Sequence, residues 1–160
     1  MTDNYIQLND NDVVKLKIKT SEGKLTGEEL TFDLNNIELP LIYQDMLFKI
    51  QKNKEKLIND FRVIEKREDI KGKKILSKNE EDKLKAFNEF TKKMVEAYNM
   101  FLGENGVEKL LNGRALGWTT LQEIDEIIDK QIAPHLTITM DDITNKITQK
   151  YGVNNQGELK

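Results

Sequence analysis

Few side chains in this 160-residue chain could carry chemistry, and their spacing does not assemble them. His135 is the only histidine. Acid–base catalysis needs an imidazole in a cleft with a carboxylate or nucleophile beside its ring. His135 follows Pro134 in a stretch that reads as a helix-ending loop, so a surface loop histidine is expected. Glu123, Asp125, Glu126 and Asp129 could be an acid pair or a metal set. They share a helix with Ile124, Ile127, Ile128 and Ile132, so the acids should lie largely on the opposite, wet side. Early in a helix they also oppose its dipole favourably.

The remaining chemical signals are weaker still. Asn9-Asp10-Asn11-Asp12 resembles the start of a calcium loop, but the turn glycine and the closing glutamate are missing. Gly103-Glu104-Asn105-Gly106 and Gly113-Arg114-Ala115-Leu116-Gly117 follow no strand and carry no phosphate-loop lysine. They read as helix punctuation. Cysteine is absent, which removes disulfides, thiolate nucleophiles and Cys-ligated zinc. The reading is therefore not an enzyme, with no catalytic residue, cofactor or metal expected.

Charge offers a different class of function. Lys49 to Lys93 holds 15 basic and 9 acidic residues, a net +6, in a chain of net charge −3. That excess could face an acidic partner or nucleic acid. The basic residues are interleaved with Glu55, Asp60, Glu65, Glu68 and Glu80 to Asp82, which would dilute a phosphate-facing field. A basic-helix nucleic-acid-binding accessory or regulatory protein is the alternative reading, with nucleic acid not the first partner expected.

The elements that must position any surface are legible from hydrophobic period. Residues 1–12 read as a flexible lead without the order of a signal peptide. Residues 13–152 form a single α+β domain, mostly α, and 153–160 a disordered tail. Val14, Leu16 and Ile18 alternate with Lys15, Lys17 and Lys19, giving a half-buried strand over Val13 to Lys19 with a lysine-lined solvent face. Gly23 supplies the turn and Gly27 a second bend. Leu30 to Leu34 alternates again, which completes an antiparallel hairpin over 13–34. Two strands are marginal alone, so the hairpin must pack on a helix or pair with another chain.

Three to five helices, two of them long, follow over 40–152. Pro40 suits a first helical turn, and helix one runs to about Glu68. Tyr43, Ile50, Leu57 and Ile64 recur every seven residues within a stripe that adds Met46, Leu47 and Phe61. The stripe thins at Asn53 and Lys54. That recurrence fits a partner helix or one face of an ordinary packed helix. Residues 69–76 form a hinge-like linker around Gly72. Ser77-Lys78-Asn79-Glu80 fits a capping box, opening a helix with Leu84, Phe87, Phe90, Met94, Tyr98 and Phe101 on one face. Val107 to Leu111 makes a short helix.

Trp118 falls in the loop that follows, as a core anchor or a partner-facing side chain, with the core preferred. Thr120-Leu121-Gln122-Glu123 reads as a second capping box. The helix it opens should end at Pro134. A last helix, Met140 to Tyr151, should bury Met140, Ile143 and Ile147 and stop at Gly152. No apolar run reaches the roughly 20 residues that span a bilayer, so no membrane partner and a cytoplasmic location are expected. Partner-binding candidates are Lys15, Lys17, Tyr43, Ile50, Leu57 and Trp118. Leu30, Phe32 and Leu34 are expected to pack on Tyr43 and Leu47, leaving one strand edge open to a neighbour.

Two segments resemble the small tail assembly chaperones encoded by tailed phages and prophages of Gram-positive bacteria. One is Phe32-Asp33-Leu34-Asn35-Asn36-Ile37-Glu38-Leu39-Pro40-Leu41. The other runs from Phe101 to Arg114 and continues through Leu121 to Ile132. This chain departs from the pattern at Leu102, where an aromatic is common, at Asn105, which is inserted, and at Asn112, where glycine is usual. The resemblance implies a non-enzymatic protein that coats the tape-measure protein, keeps it soluble and recruits tail-tube subunits. It also implies self-association into a homo-oligomer, a location in the bacterial host cytoplasm and absence from the finished virion.

Overall fold

A computed structural model describes residues 4–72 and 75–151. The expected tail over 153–160, the Gly152 stop and the first three residues of the lead lie outside the described residues, as does the side chain of Met140. The chain forms an antiparallel hairpin and then helices. Strands β1 (Val13–Lys19) and β2 (Leu25–Asp33) precede helices α1 (Leu39–Glu65), α2 (Lys78–Leu102), α3 (Gly106–Leu111) and α4 (Trp118–Ile127). A π-helical turn (Ile128–Ile132) then leads directly into α5 (Ala133–Tyr151). The α+β, mostly α architecture is the one expected.

In the hairpin, Val14 faces Phe32, Lys15 faces Thr31, Leu16 faces Leu30 and Lys17 faces Glu29. Gly23 makes the turn at φ +82°, a conformation that costs glycine little because it has no Cβ. β2 starts at Leu25 rather than Leu30, because Gly27 stays within the strand. It takes φ +86°, and the register shifts between Lys17 and Lys19, as at a bulge. The Thr26 hydroxyl donates to the Ile18 carbonyl there (3.1 Å).

α1 and α2 form an antiparallel pair. Lys49 Nζ lies 3.2 Å from Met100 Sδ near one end, and Lys83 meets Glu65 at 3.0 Å near the other. The seven-residue seam of α1 faces α2. Met46, Ile50 and Ile64 are buried, and Tyr43 and Leu57 are partly buried. Opposite them Phe90, Met94, Ala97, Tyr98 and Phe101 are buried on α2. Ser77 caps α2 as expected, its Oγ accepting the Glu80 N–H at 3.1 Å. The two ends of the linker are tied together. Asp69 Oδ1 accepts the Asn79 N–H (3.0 Å), the Asn79 side chain donates to the Arg67 carbonyl (3.2 Å), and Lys78 N–H donates to the Ile70 carbonyl (2.8 Å). The Asn79 N–H and the Ser77 hydroxyl hold the Asp69 carboxyl below its ordinary range.

The hairpin's inner face reaches the helices through Phe101. The Phe101 ring centroid lies 5.3 Å from Phe32 and 5.2 Å from Tyr43. Leu47, expected to share this packing, is 45% exposed. Met46 and Ile50 hold the inward face, and Leu47 lies about 100° round the helix from Met46. On α2, Leu84 is also exposed rather than facing inward.

The C-terminal half departs from expectation at three places. α4 begins at Trp118, two residues before Thr120. Thr120 sits in the third helical position, where its Oγ1 accepts the Gly117 N–H (2.8 Å) and donates to the Ala115 carbonyl (3.1 Å). The chain does not stop at Pro134. A proline inside a helix lacks the N–H and crowds the carbonyl four residues back. Here the wider π turn comes just before it, with the Ala133 N–H bonded to the Ile128 carbonyl, so the register has already shifted when Pro134 arrives. The turn also keeps Ile124, Ile128, Ile132 and Leu136, all buried, facing the core. A four-residue spacing would otherwise drift by about 40° per step round a regular helix. Ile147, expected inside, is about half exposed.

Candidate partner-binding surfaces

The α1 stripe thins at Asn53 and Lys54 because polar groups cross the core boundary there. Asn53 Nδ2 lies 4.0 Å from Met94 Sδ. Lys54 Nζ lies 3.8 Å from Asp125 Oδ2, and the Tyr98 hydroxyl donates to Asp125 Oδ1. Burial, and then the Asp125 hydrogen bond, push the Tyr98 hydroxyl well above its ordinary pKa. Asp125 therefore turns partly inward, unlike Glu123, Glu126 and Asp129, which are exposed as expected. The cluster ties α1, α2 and α4 together. Tyr98 is fully covered, while the Lys54 and Asp125 side chains stay 43% and 41% exposed.

His135, half-buried, lines a cleft of about 160 Å³ with Asp12, Leu34, Asn35, Asp142, Ile143 and Lys146. Among the described residues no three His, Asp or Glu side chains group as a metal site. No helix among them is long and apolar enough to cross a membrane. The basic segment is threaded with ion pairs: Lys49–Asp45, Lys56–Asp60, Lys78–Asp82, Arg67–Asp82, Lys83–Glu65 and Lys85–Glu81.

The six candidate residues separate. Ile50 is buried and Tyr43 and Leu57 are packed on the core, so their seam is used within the chain. Ile50 in particular is corrected from a partner contact to a core residue. Trp118 is 56% exposed, against the preference for the core, because α4 starts at it and turns Leu121 and Ile124 inward instead. Lys15 and Lys17 are exposed on the outer face of β1.

Beside the exposed Trp118, two surfaces among the described residues could receive a partner. The first lies on α1. Leu41 and Phe48, seven residues apart, are 64% and 60% exposed on the face opposite the core seam. Lys52 Nζ sits 5.3 Å above the Phe48 ring. Beside it a groove of about 340 Å³ runs between α1 and α2, lined by Lys49, Lys52, Asn53, Lys93, Glu96 and Met100 among others. The sequence signal for it is Leu41 and Phe48, seven residues apart and out of phase with the inner stripe. The second is a cleft of about 330 Å³ beside β1, lined by Leu16, Ile18, Leu30, Leu110, Ile127 and Gln131 with Lys17 and Lys19.

Neither surface can be assigned by relationship: no protein-family model, curated protein or solved structure matches the chain.

Proposed function

We propose that this chain is a non-catalytic binding protein that acts as a phage tail assembly chaperone. It keeps the helical tape-measure protein soluble in the host cytoplasm and helps recruit tail-tube subunits. The observation that carries the reading is the apolar strip of Leu41 and Phe48, exposed on the face of α1 away from its core seam, with Lys52 Nζ 5.3 Å above the Phe48 ring. An amphipathic client helix lays its apolar face on such a strip and its acidic residues beside the lysine. α1 has 27 residues, about 40 Å of helix, enough to follow several client turns. The tail-assembly assignment itself comes from the likeness of the two segments around Pro40 and Gly106.

The test is co-expression with the tape-measure protein of the same phage or prophage. The wild-type chain should move the tape-measure protein into the soluble fraction and co-purify with it. Replacing Leu41 and Phe48 together by Glu should abolish both effects while leaving the chain's own melting temperature unchanged. A tape measure that is equally insoluble with and without the chain refutes the reading.

A further inference from the structure

We propose that the outer edge of β1 accepts an extended peptide segment of alternating acidic and apolar residues as a third strand. This names a partner class for a binding protein, and so rests on that reading. Leu34 N–H donates to the Asp12 carbonyl, which makes Asp12 and Leu34 a hydrogen-bonded pair. The alternation of antiparallel ladders then makes Val14·Phe32 and Leu16·Leu30 the bonded pairs of this register. Val13, Lys15 and Lys17 consequently turn their N–H and C=O groups away from β2. Val13 N–H is taken by the Asp10 carbonyl, while those of Lys15 and Lys17 have no partner among the described residues. On the opposite edge of the sheet the Glu29 carbonyl is already taken by Lys109 Nζ at 3.4 Å, which also lies 3.9 Å from the Glu28 carboxylate.

The two faces of the open edge then specify the occupant. An incoming residue opposite Leu16 points its side chain to the same face as Leu16, into the cleft of Leu16, Ile18, Leu30, Leu110 and Ile127. A residue opposite Lys15 or Lys17 points to the outer face. There Lys15, Lys17 and Lys19 stand exposed in a row, none in an ion pair among the described residues. Charge complementarity therefore calls for acids at those positions and apolar residues between them. The row of lysines also opposes pairing of β1 with β1 of a second copy, since like charges placed directly across a ladder repel. Nucleic acid would use the lysines but neither the backbone edge nor the apolar cleft.

The experiment titrates the full chain into a fluorescein-labelled octapeptide of alternating glutamate and valine and follows anisotropy. Saturable binding is expected, with the Lys15 and Lys17 amides gaining protection from hydrogen exchange. Replacing Lys15 and Lys17 together by Glu should weaken binding at least tenfold, as should replacing the peptide's valines by serine. Equal binding by a peptide with its glutamates and valines in separate blocks overturns the proposal, because charge alone would then account for it. Competition by a single-stranded oligonucleotide at equal affinity overturns it too. So does peptide affinity that falls as the chain assembles on concentration, since the edge would belong to a second copy. If peptide binding fails while Phe48-dependent rescue of the tape measure persists, only the strand proposal falls. If both fail, the chaperone reading falls with it.

Discussion

Replacing Tyr98 by Phe should make the chain less stable at neutral pH and reverse that deficit in strong alkali. Tyr98 is fully covered, and its hydroxyl donates to Asp125 Oδ1. A hydrogen bond to a charged group contributes about 1.5–3 kcal/mol. Asp125 is 41% exposed at its side chain and keeps Lys54 at 3.8 Å, so it recovers part of the loss from water and the ammonium. The net cost at pH 7 is about 1 kcal/mol. Burial first, and the Asp125 bond second, raise the folded pKa of Tyr98 above that of an unfolded tyrosine. Above an unfolded pKa of about 10 the unfolded chain gives up this proton and the folded chain keeps it. Wild-type stability from this group is therefore complete below pH 10 and falls by about 1.4 kcal/mol per pH unit above it. Tyr43, also raised by burial and then by Asp129, slopes the same way in both proteins and cancels in their difference. Urea unfolding of both proteins at pH 7, 9, 10 and 11 measures that difference. The curves should cross just below pH 11. Parallel pH dependences would refute the buried-tyrosine reasoning, whatever the offset at neutral pH.

Substitutions at two further positions probe the turn between α2 and α3. Asn99→Ala removes the Oδ1 that accepts the buried Val107 N–H at 2.9 Å, so stability should fall by about 1–3 kcal/mol, and Asn99→Asp, which keeps that acceptor but sets a carboxylate oxygen where Nδ2 donates to Glu108 Oε2 at 3.4 Å, should recover only part of it in the same urea assay. Gly106→Ala places a Cβ 2.5 Å from Leu102 Cβ, which has no flexible end to move aside, so differential scanning calorimetry should show a melting temperature lowered by several degrees, corresponding to about 1–3 kcal/mol.

How much was legible beforehand depended on whether a signal was local. The hairpin was, because alternation and Gly23 specify strand and turn within a dozen residues. The Ser77 cap was, because one hydroxyl and one N–H three residues on suffice. Helix continuity through Pro134 was not. The stop signal of a proline is local, whereas the π turn that accommodates it is set by Ile124, Ile128, Ile132 and Leu136 each needing to face the core. Thr120 shows the same limit at finer scale. A threonine followed by Glu at the right spacing resembles a cap, yet its hydroxyl serves Gly117 behind it, and helix entry is decided by burial of Leu121 and Ile124. The inward turn of Asp125 was hidden because its partner, Tyr98, lies 27 residues away.

The α1 seam shows why candidate surface residues were harder to read than folds. Period seven at Tyr43, Ile50, Leu57 and Ile64 says that a helix lies across α1, but not whether that helix belongs to the same chain. The antiparallel α2 supplies it, so truncating Ile50 opens a cavity in the core and weakens folding before it can report on any partner. A residue informative about binding must be apolar, exposed and off that seam. Leu41 and Phe48 meet all three conditions, and Lys49 and Lys52 beside them add a charge that a neutral client would not need. The β1 edge is separate, on the hairpin rather than the helix pair, and uses backbone groups that no α1 substitution alters. A partner helical in one part and extended in another would reach both surfaces, so loss of the β1 edge alone would lower its affinity, whereas loss of Leu41 and Phe48 removes the helical docking on which rescue of the tape measure depends.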